Sequence, residues 1–206
     1  MMKQFAKLGL ILAAFAAVAC VGLTFVYAAT EKQIALNAGA QLQESLKELF
    51  ADAEEFAPTQ LESPDTAVSF VEAYEAKRGG APLGVAIKAS GASYGGPSIL
   101  LVGVGLDRRI VGVRVLANAD TPGLGANAAS LTYYVDKANK VTFPGQFSGK
   151  PISDAFEVKK DVQAITASTI TSKSLTKIVK AAGAAAGTWL ERAAAGDAAA
   201  AAPGGK

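Results

Sequence analysis

The stretch Ser98–Leu116 reads SILLVGVGLDRRIVGVRVL. Ser98–Leu106 is a strongly apolar run of strand length, and Ile110–Leu116 alternates cleanly, as a half-buried strand does. Asp107-Arg108-Arg109 between them is polar and short, so the two runs fold back on each other as a hairpin. The pattern repeats upstream. Gly84–Ala89 is a short strand, Gly91–Gly96 a glycine-rich turn, and Lys77-Arg78-Gly79-Gly80 another turn. Val68–Ala76 reads as a first strand, with a helical turn as the alternative. Strands joined by short loops form antiparallel sheets, since parallel pairs need long crossovers.

Helical patterns flank this block. Glu31–Phe56 places Ile34, Leu42, Leu46, Leu49, Phe50 and Ala53 on an approximate stripe, with charged residues opposite. Such a helix packs on its own domain or serves as a stalk that docks on neighbours. Residues 57–65 read as a loop, from their Pro, Ser and acid content. Ala126–Tyr134 has helical character, and Phe143–Lys150 is a loop with Gln146 and Lys150 as polar candidates for a site. A last helix spans Lys173–Arg192, and 193–206 is an alanine-rich tail expected to be disordered and without function.

Leu8–Thr30 carries no charge and is long enough to cross a bilayer as a helix. Lys3 and Lys7 precede it, which places the N-terminus in the cytoplasm and the following domain outside. A cleaved signal peptide, with small residues near Ala28, is the rival; the length of the apolar run favours an anchor. Cys20, inside the run, reads as a packing residue. The class is therefore α+β: a single transmembrane helix, then an extracytoplasmic domain with an antiparallel sheet flanked by helices. The expected divisions are 1–30 for the cytoplasmic tip and span, 31–66 for a helical stalk and linker, 67–192 for the domain, and 193–206 for the tail.

Composition excludes several chemistries. The 206 residues contain no His and one Cys, so imidazole metal sites, a His general base, internal disulfides and Cys-ligated clusters are all absent. A net charge of +2 gives no nucleic-acid footprint. An electron carrier built on this chain would need a cofactor without His or Cys ligands, and a flavin meets that condition.

Candidate binding residues gather in three places. Val162–Lys173 (VQAITASTITSK) is dense in hydroxyls ahead of the last helix. Thr166, Ser168, Thr169 and Thr171 exceed what capping needs, although Thr171 or Ser172 serving as an ordinary N-cap is an even alternative. The free amides and dipole of a helix start also suit a phosphate. Lys173 adds a positive charge nearby, or is simply solvated. Asp120-Thr121-Pro122-Gly123-Leu124-Gly125 follows the last strand, and its glycines allow close backbone approach to a ligand. Tyr94, in Tyr94-Gly95-Gly96-Pro97, could stack on a flat ring or belong to the core.

These residues also carry a resemblance. Thr166–Ser172 (TASTITS) is similar to the S/T-G-A-T-x-T-S flavinylation motif of the FMN-binding domain family. Asp120–Gly125 resembles that family's E-T-P-G-L-G, Tyr94–Pro97 its Y-G-G-P, and Gln146–Lys150 its Q-F-x-G-K loop. The motifs occur in the family's order after one apolar segment, and the likeness covers most of the chain. The family includes G-type subunits of Rnf electron transport complexes, the nearer match, and C-type subunits of sodium-pumping NADH:quinone reductases. The chain departs from the pattern in three places: Gln163 stands at a family Asp, Ala167 at a family Gly and Ser168 at a family Ala.

The resemblance implies FMN as cofactor, esterified through its phosphate to Thr169. Thr166, Ser168, Thr171, Ser172, Thr121, Gly123, Leu124, Gly125 and Tyr94 would form the surrounding site. It implies electron relay within a membrane-bound, ion-translocating ferredoxin:NAD oxidoreductase complex, with no catalytic residue and no stand-alone activity. The partners it implies are the other membrane subunits and, during maturation, a flavin transferase. Two alternatives stay open: a membrane-anchored domain that binds FMN noncovalently, and a flavin-free assembly protein.

Overall fold

Backbone hydrogen bonds join five strands in the order of the chain, β1 (Glu55–Thr59), β2 (Val68–Arg78), β3 (Ala81–Ala92), β4 (Pro97–Gly105) and β5 (Ile110–Ala117), each antiparallel to the next. The computed structural model describes residues 2–201, with side chains from 4 to 194. Two compact units divide the chain, Met1–Gln43 and Glu44–Lys206.

The first unit is helical. It belongs to α1 (Met2–Leu49), which runs without interruption through the composition change at Thr30-Glu31. The helix is long and apolar enough to cross a membrane, with a mean hydropathy of 2.5 over its best window and none of that window buried by the chain itself. Cys20, read from the sequence as a packing residue, is exposed on this helix among the described residues.

The second unit holds the sheet. Val85, Ile87 and Ala89 of β3 alternate onto one face with Leu100, Val102 and Val104 of β4. This face packs against α2 (Thr169–Ala201) through Leu175, Ile178, Val179, Ala182, Ala186 and Trp189. Trp189 Nε1 donates to Glu75 Oε1 at 2.9 Å and so ties the helix to β2. Ala86 and Leu101, fully buried on the opposite face, share it with the end of α1. There Gly84, Gly103 and Gly112 form a notch for Leu49 and Phe50. A Cβ at Gly112 would lie 2.7 Å from Leu49 Cδ2, and one at Gly84 would lie 2.8 Å from Phe50 Cε1. The Arg114 Nε–Glu48 Oε2 pair, 2.6 Å, closes the rim of this contact.

Several boundaries differ from the sequence reading, for physical reasons. The helix expected to reach Phe56 ends at Leu49, because Phe50 turns into the glycine notch and Glu54 N–H already bonds Lys77 O at 2.8 Å. Residues 55–59, read as the helix end and a loop, are strand β1. Pro58 is compatible with this because β1 is an edge strand, where a missing N–H can face away from the ladder. The sheet therefore begins ahead of the expected domain start at 67. Lys77 and Arg78 belong to β2, leaving Gly79-Gly80 as the turn. Ala126–Tyr134 is not an α-helix: a 3₁₀ turn covers Gly125–Ala129, and Tyr134 starts β6 (Tyr134–Asp136), which pairs with β7 (Val141–Thr142). The alanine-rich tail is helical as far as Ala201, as alanine favours; the rest of the expected disordered tail, 202–206, lies outside the described residues.

The segment from β6 to α2 has little regular structure and is held by side chains. Phe143, Phe147 and Phe156 pack in sequence within the core, the first pair edge-to-face and the second tilted, with centroids 5.6 and 6.0 Å apart. Gln146 Oε1 accepts the N–H of Gln163 at 2.7 Å, and Lys150 Nζ donates to Asp161 O at 2.6 Å. Asp161 in turn accepts the N–H groups of Phe156 and Glu157. Burial opposes its charge, but these bonds and Lys150 outweigh that and hold its carboxyl below the ordinary value. Gln146 and Lys150 thus brace the loop that leads into α2.

Candidate functional site

Helix α2 begins at Thr169 rather than at Lys173, and the residue two positions before it sets the geometry. Ala167 adopts φ 58°, the left-handed region that favours glycine. That turn lets Ser168 N–H bond Ile165 O at 3.0 Å, while Ser168 O accepts Ser172 N–H, also at 3.0 Å, as the first helical bond. Ser168 is therefore the N-cap, and the amides of Thr169, Ile170 and Thr171 start the helix without intrahelical acceptors.

Ser172 is fully buried and fastens the approach. Its Oγ accepts Ile165 N–H at 2.9 Å and donates to Ser168 O at 2.9 Å. Thr166 N–H donates to the Tyr133 hydroxyl at 3.2 Å. Both residues shape the loop and neither lines a cavity.

A second knot forms around Asp120. Its carboxylate accepts Ser93 Oγ–H and Gly95 N–H, both at 2.6 Å, and the Thr171 hydroxyl and Tyr94 N–H also favour its charge. Burial pushes the Asp120 carboxyl up, but the four donors, Ser93 first, hold it below the ordinary aspartate value. One carboxylate thereby joins the β3–β4 turn, the loop after β5 and the first turn of α2. Gly125 allows a close approach to α2: a Cβ there would lie 2.5 Å from Thr171 Oγ1 and 2.7 Å from Asp120 Cβ.

These elements enclose a cavity of about 600 Å³, within the usual range for small-molecule sites. Tyr94, Thr121, Leu124, Gly125, Ser168, Thr169 and Thr171 line it, all singled out from the sequence, together with Asp120, Ala167 and Ile170. Gly123 does not; its φ of 78° serves the turn, and its O accepts Asn127 Nδ2 at 2.9 Å. Lys173 is exposed and off the wall. A larger groove of about 720 Å³ lies elsewhere, between residues 59–64, β2 and the later turns of α2, and contains none of the predicted site residues.

The lining has two chemical characters. Thr169, partly buried, stands with the free amides of the helix start, where backbone donors and the helix dipole favour a phosphate. Tyr94, Ile170 and Leu124 present apolar surface at 68, 59 and 41% exposure, so the mouth is open and suited to the face of a flat ring. The residues present fit a phosphate-bearing aromatic cofactor. Asp120, Ser93 and Ile170 join the site without having been among the site residues expected from the sequence. The acid heading the TPGLG run was the available signal for Asp120.

The site and fold define a flavin-binding domain that follows a helix long enough to span a membrane, and comparison with known families agrees. Residues 93–184 match the FMN-binding domain, and residues 1–49 match the RnfG N-terminal region. The G subunit of an ion-translocating oxidoreductase complex from Aliivibrio fischeri is 32% identical over 196 residues, 87% of this chain and 89% of that protein. The G subunit of a Na(+)-translocating ferredoxin:NAD(+) oxidoreductase complex from Acetobacterium woodii is 29% identical over 188 residues, 82% of this chain and 86% of that protein. A proton-translocating counterpart from Clostridium ljungdahlii is 38% identical over 113 residues, 52% of this chain and 55% of that protein.

The chain belongs to the family of G-type subunits of ion-translocating oxidoreductase complexes of the Rnf type. FMN is the cofactor its domain is built for.

Proposed function

We propose that this chain carries FMN esterified through its phosphate to Thr169 and relays electrons between partner subunits of a membrane-bound ferredoxin:NAD oxidoreductase complex. The observation that carries this reading is the placement of Thr169: the first residue of α2, on the cavity wall, beside amides that have no intrahelical acceptor.

Esterification would form one P–O bond from Thr169 Oγ to the FMN phosphorus as the phosphoanhydride bond of an activated FMN donor on a flavin transferase breaks; the donor's other phosphate half leaves and the hydroxyl proton is released. The helix start stabilises the phosphate charge. Leu124, Ile170 and Tyr94 would offer apolar surface to the ring at the open mouth. Gly125 and Thr121 bring backbone to the cavity edge, and Asp120 fixes the loops that carry these groups. FMN itself supplies reversible one- and two-electron chemistry. A carrier open to solvent benefits from a cofactor that cannot dissociate.

Lys3 and Lys7 favour a cytoplasmic N-terminus, with the flavin domain on the other side of the membrane. A second reading, FMN held noncovalently, draws on Gln163 and Ala167, which replace the Asp and Gly of the flavinylation pattern.

The test is flavin content after denaturation. Wild-type protein made with its host's maturation machinery keeps flavin through denaturation, and Thr169→Ala loses it while melting within a few degrees of wild type. Flavin retained covalently in Thr169→Ala would overturn the assignment, and flavin released from wild-type protein by denaturation would favour the noncovalent reading.

A further inference from the structure

Among the cavity-lining residues, Asp120 is the only one with an ionisable carboxylate or ammonium group, and no Lys or Arg lines the wall. Its hydrogen-bond donors, Ser93 Oγ and Gly95 N–H, are neutral, as are the Thr171 hydroxyl and Tyr94 N–H that also favour its charge. They stabilise its negative charge without cancelling it. We infer that the Asp120 carboxylate, held at the wall by Ser93, Gly95 and Thr171, lowers the midpoint potential of the bound flavin by placing a fixed negative charge beside it. The inference rests on the reading that this cavity holds FMN.

A negative charge near the ring opposes the arrival of an electron, and the Asp120 carboxylate, buried in the wall, is less screened by solvent than a surface charge. The positive end of α2 acts in the other direction, so the potential reflects a balance between the helix start and Asp120. Ser93 and Thr171 adjust that balance: each hydroxyl that donates to the carboxylate draws charge away from the cavity. Removing the carboxylate charge and removing one of its donors should therefore shift the potential in opposite directions. A residue that only holds loops together would not give that pair of signs.

The experiment uses the full-length protein in detergent, loaded with FMN, and titrates the flavin spectroelectrochemically. Asp120→Asn keeps an acceptor for Gly95 N–H and removes the charge; its midpoint potential rises. Ser93→Ala removes a donor and its potential falls. Asp120→Glu retains the charge and shifts least of the three. Flavin per chain and melting temperature are measured on the same samples. Flavin-loaded Asp120→Asn and Ser93→Ala with unchanged potentials overturn the inference and leave the site reading standing. If Asp120→Asn does not fold or does not load, Ser93→Ala decides alone: a lower potential supports the inference, an unchanged or higher one overturns it. Wild-type protein that takes up no flavin overturns the site reading and this inference with it.

Discussion

Replacing Ala167 by Gly should stabilise the protein, an unusual direction for a substitution that removes a side chain. Ala167 has φ 58°, and an L-residue in the left-handed region carries roughly 1–2 kcal/mol of steric cost. Glycine removes that cost but adds about 0.4–1 kcal/mol of unfolded-state entropy. The difference is a net gain of about 0.5–1 kcal/mol, since Ala167 is exposed and its methyl contributes little burial. For a domain of this size that is a rise of about 1–4 °C in Tm. The assay is a thermal melt of the full chain in detergent, with Ala185→Gly as control. Ala185 is buried in the interior of α2, so the same chemical change there costs about 1 kcal/mol in helix propensity, with a lost methyl contact in addition. A Tm for Ala167→Gly at or below wild type would refute the backbone geometry at the start of α2.

Other perturbations test the surrounding packing. Gly125→Ala drives a Cβ to 2.5 Å from Thr171 Oγ1; it should cost about 1–3 kcal/mol in chemical denaturation and reduce flavin per chain. Ser98 Oγ is fully buried in β4 and has no hydrogen-bond partner among the described residues, so Ser98→Ala should be neutral to stabilising by about 1 kcal/mol in the same assay. Asp120, Asp161, Glu72 and Glu75 all have carboxyl groups held below their ordinary values, so the unfolded chain binds protons more readily than the folded one. Their stabilising contribution is complete above the ordinary carboxyl range, roughly pH 4, and is lost as pH falls through the lower folded values. A stability–pH curve should therefore drop on the acid side, less steeply in Asp120→Asn.

The hairpin from Ser98 to Leu116 was legible because its strands are both apolar enough and regular enough to have one reading, and α2 was legible from the stripe of Leu175, Ile178, Val179 and Ala182. Strand β1 was not. An edge strand buries little, so Glu55–Thr59 shows no alternation, and Pro58 reads as a breaker unless the edge position is known. The continuity of α1 was hidden because the change from apolar to charged residues at Thr30-Glu31 resembles a boundary, although no residue there breaks a helix. At the site, the hydroxyl-rich run was visible, but the roles within it were not. Ser172 and Thr166 serve the backbone, while Thr169 and Thr171 reach the cavity, a division that depends on where the helix starts. Asp120 was obscured because its hydroxyl partners, Ser93 and Thr171, lie far from it in sequence and meet it only in the fold.

The central claim, a flavin esterified at the start of α2, is tested most directly by mapping the modification. Protein produced in its native host is denatured, separated on a gel and inspected for flavin fluorescence, and the fluorescent band is digested and weighed by mass spectrometry. The account predicts an FMN-sized adduct on Thr169 within the peptide that contains Thr166–Ser172. A dark band with an unmodified peptide, or an adduct on Ser168 instead, would contradict it.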